Sequence, residues 1–196
     1  MQYILTALKA EAKPIIDYYD LAYDNSGSIP VFKNNIYTLL VTGAGRINVY
    51  KSLTKYFKNN KIDRSQFINI GISGGHQNNC DLGQMFLIDK ISDDISKVLI
   101  SLRYDNYFGL LKNRVNTVSK PITNGEFERK GLVDMEAYKI YEVINQIDNI
   151  ENLFILKIVS DFMKLSESLL SSQEVYNFIE QNLVEIDIFL KAIRKF

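Results

Sequence analysis

The run Leu153–Ser160 (LFILKIVS) is apolar enough for a buried strand, and Asp161 stands at its end, followed by Phe162 and Met163. A carboxylate where a core strand meets solvent can act as a general acid if its surroundings keep it protonated near neutral pH. The plainer alternative is a turn or a helix cap. Two further carboxylates hold comparable places. Glu11 falls near the start of the helix expected after the first strand, and Glu136 in the first turn of a helix that reads from Asp134. The helix dipole alone favours a negative charge at both positions, so structure and chemistry remain rival explanations there. With Met135 beside it, Glu136 is also equipped to accept hydrogen bonds from paired sugar hydroxyls, the thioether offering an apolar surface.

Two glycine-containing stretches could lay backbone against a ligand. In VTGAGRINV, Gly43 and Gly45 lie between a strand and a helix, and the amides at that helix start suit an anion, with Arg46 next to them. The spacing falls short of a dinucleotide fingerprint, and taken alone a tight turn is the better explanation. In NIGISGGHQ, Gly71, Gly74 and Gly75 crowd directly behind a strand, which reads as close approach to a ligand or as a structural turn. His76, the only histidine, reads as an exposed loop residue, and Cys80 as a small loop or core residue. No serine or cysteine nucleophile with a nearby acid can be placed around His76.

The elements that must position these residues follow from periodicity. Gln2–Leu8 reads as a strand and AEAKPIIDYYD as a helix, with Pro14 near its first turn. IPVFKNNIYTLLVTG predicts a hairpin turning at Lys33–Asn35. GRINVYKSLTKYFKN predicts an amphipathic helix with Ile47, Tyr50, Leu53 and Phe57 on one face. SQFINIG and MFLIDKI read as strands, the first ending at a glycine-rich loop. KVLISLRY fits strand or helix, and VNTVSKPIT is extended ahead of Pro121. After the helix from Asp134 and the strand at 153–160, the tail from Ser168 reads as one long helix. Alternating strands and helices without a linker or repeat predict an α/β fold, a single domain over residues 1–196 with a central mixed β-sheet flanked by helices. Ligands of such sheets bind beyond the carboxyl ends of strands, where Glu11, Gly43–Gly45, Gly71–Gly75 and Asp161 all fall.

Composition narrows the function classes. Lys plus Arg and Asp plus Glu both number 23 in 196 residues, so no net charge favours nucleic acid or an anionic membrane. The basic run KYFKNNKIDR (Lys55–Arg64) reads as a solvated helix end and loop. One cysteine and one histidine leave no zinc ligand set and no internal disulfide, which fits a reducing, cytoplasmic compartment without metal or cofactor. The N-terminus reads as a first strand and not a signal peptide, and no apolar run approaches the ~20 residues that span a bilayer.

Taken in order, ILTALKAEA, VTGAGRINV, FINIGISGGHQNNCDLGQMFLID, GLVDMEAYKIYEV and LKIVSD resemble the nucleoside phosphorylase and nucleosidase family, which includes purine nucleoside phosphorylase and methylthioadenosine/S-adenosylhomocysteine nucleosidase. The resemblance implies a nucleoside phosphorylase-like fold and cleavage of a purine-type nucleoside through an oxocarbenium-like state. It assigns Asp161 to N7 of the leaving base, with Phe162 beside it. It gives Met135 and Glu136 to the ribose, Glu11 to activation of water, and the loop residues Ser73, Gly74 and Gly75 to substrate contact. Gly43, Arg46, Lys157, Ser160 and Phe162 become candidate anion or base contacts. Lys157 stands where the family commonly has arginine, and a lysine lacks the bidentate fork.

Asn69 stands where the hexameric phosphorylases carry a phosphate-binding arginine, and their early Gly-x-x-Arg element is missing. Hydrolysis is therefore the expectation. A phosphate-dependent phosphorylase is the first alternative and a non-catalytic nucleoside-binding protein the second. The stretch between Ile91 and Gly131, which normally supplies base-stacking aromatics, is shorter than usual, with VSKPITNGEFERKG as a remnant. The substrate stays open among adenosine-type thioethers, futalosine-like and modified nucleosides. The resemblance, with the apolar face Ile47–Tyr50–Leu53, also implies a homodimer.

Overall fold

The apolar runs of this chain are continuous because the sheet they build is covered on both faces. The structure, a computed structural model, describes residues 1–25, 29–60, 62, 65–104, 109–123, 130–147, 152–164 and 170–195. In chain order the described elements are β1 (Gln2–Thr6), α1 (Lys9–Tyr19), β2 (Ala22–Asp24), β3 (Val31–Lys33), β4 (Tyr37–Val41), α2 (Arg46–Asn59), β5 (Gln66–Gly74) and β6 (Met85–Asp93). They continue with β7 (Leu99–Ser101), β8 (Lys112–Thr117), β9 (Leu132–Asp134), α3 (Ala137–Gln146), β10 (Leu153–Asp161), α4 (Ser172–Gln181) and α5 (Leu183–Ile193).

The strands form one mixed sheet, as the α/β reading expected. β1 pairs in parallel with β4 and β5, and β5 in parallel with β10. β10 then meets β6 in antiparallel fashion, β6 pairs with β8, β8 with β9, and β9 returns to β5 at Gly74. Those five strands close a ring, while β4, β3 and β2 extend the sheet beyond β1 as the expected hairpin and an added edge strand. Alternate residues of each strand enter separate cores. Tyr3, Leu5, Phe67, Ile155 and Val159 pack towards α2 and α3. Ile4, Ile68, Ile70, Leu156 and Ile158 pack towards α1, α4 and α5.

Several expectations are corrected. The tail is two helices, broken at Asn182, whose side-chain amide donates to the Gly83 and Phe178 carbonyls. Asp134 belongs to the short strand β9, and α3 starts only at Ala137, so Glu136 sits at the cap position and not in the first turn. Gly71 and Gly74 lie inside β5 rather than in a loop behind it. On α2 the buried residues are Val49 and Leu53, whereas Ile47 and Tyr50 are 69% and 46% exposed. The ambiguous KVLISLRY stretch contributes β7. Within VSKPITNGEFERKG, residues 124–129 lie outside the described residues, as do residues 61, 63 and 64 of the basic run. Among the described residues no helix is long and apolar enough to cross a membrane.

Candidate active site

A cavity of about 260 Å³ opens where β1, β5, β8, β9 and β10 end. Its lining includes Glu11, Ser73, Gly74, Met135, Glu136, Ser160 and Asp161, so the structure brings together the expected acid, ribose and loop residues.

Glu11 arrives from the first turn of α1. Its carboxylate folds back to accept the Ala7 and Leu8 N–H groups at 2.8 Å each, and reaches across to the Ile72 N–H at 3.0 Å. Burial pushes this carboxyl up, opposed by the Leu8 and Ile72 amides, the Lys157 charge and the Ala7 amide. A glycine is required beneath it. A Cβ on Gly71 would stand 2.9 Å from Glu11 Oε1 and 3.5 Å from Lys157 Nζ.

Glu136 is fixed from the other side. Gly45 N–H donates to its Oε1 at 2.7 Å, and Met135 N–H to its Oε2 at 3.3 Å. Each oxygen keeps a lone pair for a further donor, which suits a pair of hydroxyls. Burial and then the neighbouring Asp134 carboxylate push the Glu136 carboxyl up to about 7, against the Lys157 charge and the Gly45 amide, while the Glu11 charge adds to the rise. This contact also explains the Gly43–Ala44–Gly45 turn. Both glycines have φ of 83°, a left-handed value that favours glycine, and the resulting turn aims the Gly45 amide at Glu136. The anion site expected there holds the chain's own carboxylate.

Lys157 is only 1% exposed and does not line the cavity. On β10 it takes the face that Ile155 and Val159 give to the core, and its ammonium lies 2.9 Å from Asp134 Oδ2. Asp134 also accepts the Thr117 hydroxyl at 2.7 Å and the Ala137 N–H at 2.8 Å. Burial opposes the charge of Lys157, but Asp134, Glu136 and Glu11 outweigh it and hold the ammonium above its usual range. Asp134, read from sequence only as the start of a helix, is thus the partner of a buried cation, and it lines the cavity as well.

The end of β10 is irregular, and that irregularity aims the acid. Its register with β5 shifts between Val159 and Asp161, so Ser160 is an extra residue, a bulge that redirects the chain. Asp161 Oδ1 accepts the Met163 N–H and Oδ2 the Ser160 hydroxyl, both at 2.8 Å. The Ser160 hydroxyl also lies 3.3 Å from the Ser73 carbonyl. Donating there instead would free its lone pair for a proton carried by Asp161, so Ser160 can serve both protonation states of the acid.

The remaining candidates are elsewhere. Phe162, partly buried, packs against the core on the α2 and α3 side of the sheet, and Met163 lines the cavity instead. Arg46 is held by Asp93, by Asp94 at 2.6 Å and by the Thr117 carbonyl at 2.8 Å. Burial works against the Asp93 charge, but Ser96 and Arg46 prevail and keep its carboxyl below the usual range. Gly43 packs on Asn48, and a Cβ on Gly75 would meet Cys80 Sγ at 2.4 Å, so both glycines are structural. His76 is not among the lining residues, and its carbonyl accepts the Asn79 and Cys80 amides. Among the described residues no cluster of His, Cys, Asp or Glu is arranged to hold a metal ion.

No family model matches the chain, and no curated protein matches its sequence. Solved structures do. Futalosine hydrolase of Helicobacter pylori strain 26695 superimposes with a TM-score of 0.80 at 12% identity, over 97% of each chain. The 5'-methylthioadenosine/S-adenosylhomocysteine nucleosidase of S. pneumoniae, with a transition-state inhibitor, gives 0.76 at 13% identity over 98% of this chain and 100% of that one. The 5'-methylthioadenosine nucleosidase of Arabidopsis thaliana gives 0.75 at 15% identity over 96% and 95%. At such identities the likeness is one of backbone, and it is end to end: this chain has the nucleoside phosphorylase-like fold that these nucleosidases share.

Proposed function

We propose that the protein is an N-ribosyl hydrolase that cleaves the glycosidic bond of a purine-type nucleoside with water as the nucleophile. The observation that carries this reading is the charge of the cavity. Its described lining holds four carboxyl groups, Glu11, Glu136, Asp161 and the Lys157-paired Asp134, and no lysine or arginine. Arg46 and Lys157 are already neutralised by aspartates, and the Gly45 amide is taken by Glu136. Phosphate finds no counter-charge there, whereas an oxocarbenium-like sugar, which is positive, is favoured.

In this reading Glu136 grips the 2'- and 3'-hydroxyls, with Met135 against the sugar. The C1'–N9 bond breaks with its electron pair passing to the base, and Asp161 delivers a proton to N7. Glu11 removes a proton from the water that adds to C1'. The products are free base and ribose, and proton exchange between Glu11 and Asp161 through solvent restores the starting state.

The reading extends to a homodimer. Ile47, Tyr50 and Ile95 line one shallow depression shared by α2 and α3, and Val98 and Leu99 are exposed in the stretch that follows Ile95. Exposed apolar residues gathered in this way suit a second copy. Sedimentation at micromolar concentration tests it, and a fully active monomer would count against it.

Base release from a panel of ribonucleosides, with and without phosphate, tests the activity. Phosphate-independent release supports hydrolysis. Strict phosphate dependence would show a phosphorylase, and tight binding without release a nucleoside-binding protein.

A further inference from the structure

We propose that Met163 sets the size of the base this site accepts, a specificity role that rests on the nucleoside reading above. Met163 is a non-glycine residue with φ of 60°, a left-handed conformation that side-chain-bearing residues rarely adopt. Such an outlier persists where surrounding structure enforces it. Here the Asp161 carboxylate accepts the Met163 N–H at 2.8 Å. The thioether is buried over Gly74, where a Cβ would stand 2.6 Å from Met163 Cγ and 3.3 Å from its sulfur. Gly74 therefore leaves the space that Met163 fills, and the same turn that presents the acid swings this side chain into the cavity.

The wall that results is aliphatic. Met163 clusters with Val118 and Val133, and Ile122 and Met135 pack against them. The chain has 12 tyrosines and 11 phenylalanines, yet among the described residues none lines the cavity. In this reading a flat base held at N7 by Asp161 lies against this aliphatic and thioether surface. A polarisable sulfur suits that contact. The 6-substituent of a purine lies on the same edge as N7, so a base gripped by Asp161 directs that substituent towards Met163.

The test is binding of adenosine and of N6-benzyladenosine, read by stopped flow before turnover, to wild type, Met163→Gly and Met163→Ala. Glycine tolerates the left-handed backbone, so Met163→Gly removes the side chain without adding strain. Met163→Ala repeats the truncation with the strain retained, and thermal unfolding shows that each variant folds. Wild type should prefer adenosine, and both truncations should shift the ratio of the two affinities by at least about 10-fold towards the benzyl derivative, the discrimination that one or a few methylene groups supply in a pocket. An unchanged ratio, or a wild type that binds both ligands equally, overturns the role of Met163 alone. Failure of wild type to bind either ligand overturns the nucleoside reading along with it.

Discussion

Lys157 and Asp161 lie on the same strand, four positions apart, and their surroundings are opposite. Lys157 points into the core, meets Asp134 at 2.9 Å and is closed off from the cavity. Asp161 follows a bulge, leans on one hydroxyl and one amide, and faces the cavity. Regular pairing buries the first, and a single extra residue frees the second. Charge in this protein is thus divided into a sealed pair beneath the site and open groups that face the cavity. A sealed pair should govern stability when broken, because one buried charge is left without its partner. An open group should govern turnover or binding and leave folding nearly untouched.

The sharpest way to break that division is Lys157→Met, which strands Asp134 beside Glu11 and Glu136. Urea unfolding at pH 8 should show a loss of about 3–5 kcal/mol, and Lys157→Met combined with Asp134→Asn should recover much of it. A loss below about 1 kcal/mol would mean the pair is not sealed.

Asp161→Asn should lower base release by about 10²-fold or more, the usual effect of losing a general acid, with an unfolding midpoint close to wild type. A folded variant with near-wild-type turnover would remove Asp161 from the chemistry. Glu11→Gln should similarly depress phosphate-free release, since water then lacks a base. Assays with and without phosphate separate the chemistries, because an anionic nucleophile needs no base and would leave the variant mildly affected.

Glu136→Gln should weaken ribonucleosides by roughly 1.5–3 kcal/mol, the scale of a charged hydrogen bond, and 2'-deoxyribonucleosides by less. Equal losses for both sugars, measured by calorimetry, would reduce Glu136 to a support for the α2–α3 junction.

The smallest effect is in pH dependence. The Glu136 carboxyl titrates at about 7 when folded against an ordinary value near 4.5. A raised carboxyl stabilises the fold fully below the ordinary value, and that contribution is lost as pH rises through about 7. The thermal midpoint of unliganded wild type should therefore decline from pH 5 to pH 8, and Glu136→Gln should flatten the decline. An identical slope in both proteins would show that Glu136 titrates as an ordinary glutamate.

The outline of the fold was legible in the apolar runs. β1, the hairpin of β3 and β4, α2, and the strands β5, β6 and β10 all fall where periodicity and turn residues place them. β9 was not, because three residues carry no periodicity and LVD merges into the helical pattern behind it. The break at Asn182 was hidden because both flanking segments keep a helical spacing, and only the Asn182 contact with Gly83 marks the bend. Phe162 drew attention as the aromatic neighbour of Asp161. Met163 was visible at the same strand end, but nothing in a methionine announces a left-handed backbone.

By itself the sequence determined which residue types stand at the ends of core strands: a glutamate after β1, a Met–Glu pair before α3 and a Ser–Asp pair closing β10. Local patterning decides that much, because strand length and the start of a helix depend on neighbours along the chain. Only the tertiary structure decided which charges remain available to a ligand. Arg46 and Lys157 read alike as cations, and both are neutralised by aspartates from other elements. Gly45 reads as an anion-binding turn and is occupied by Glu136. The physical reason is that a buried charge or amide must find its partner through space, and no spacing along one strand shows which distant group will supply it.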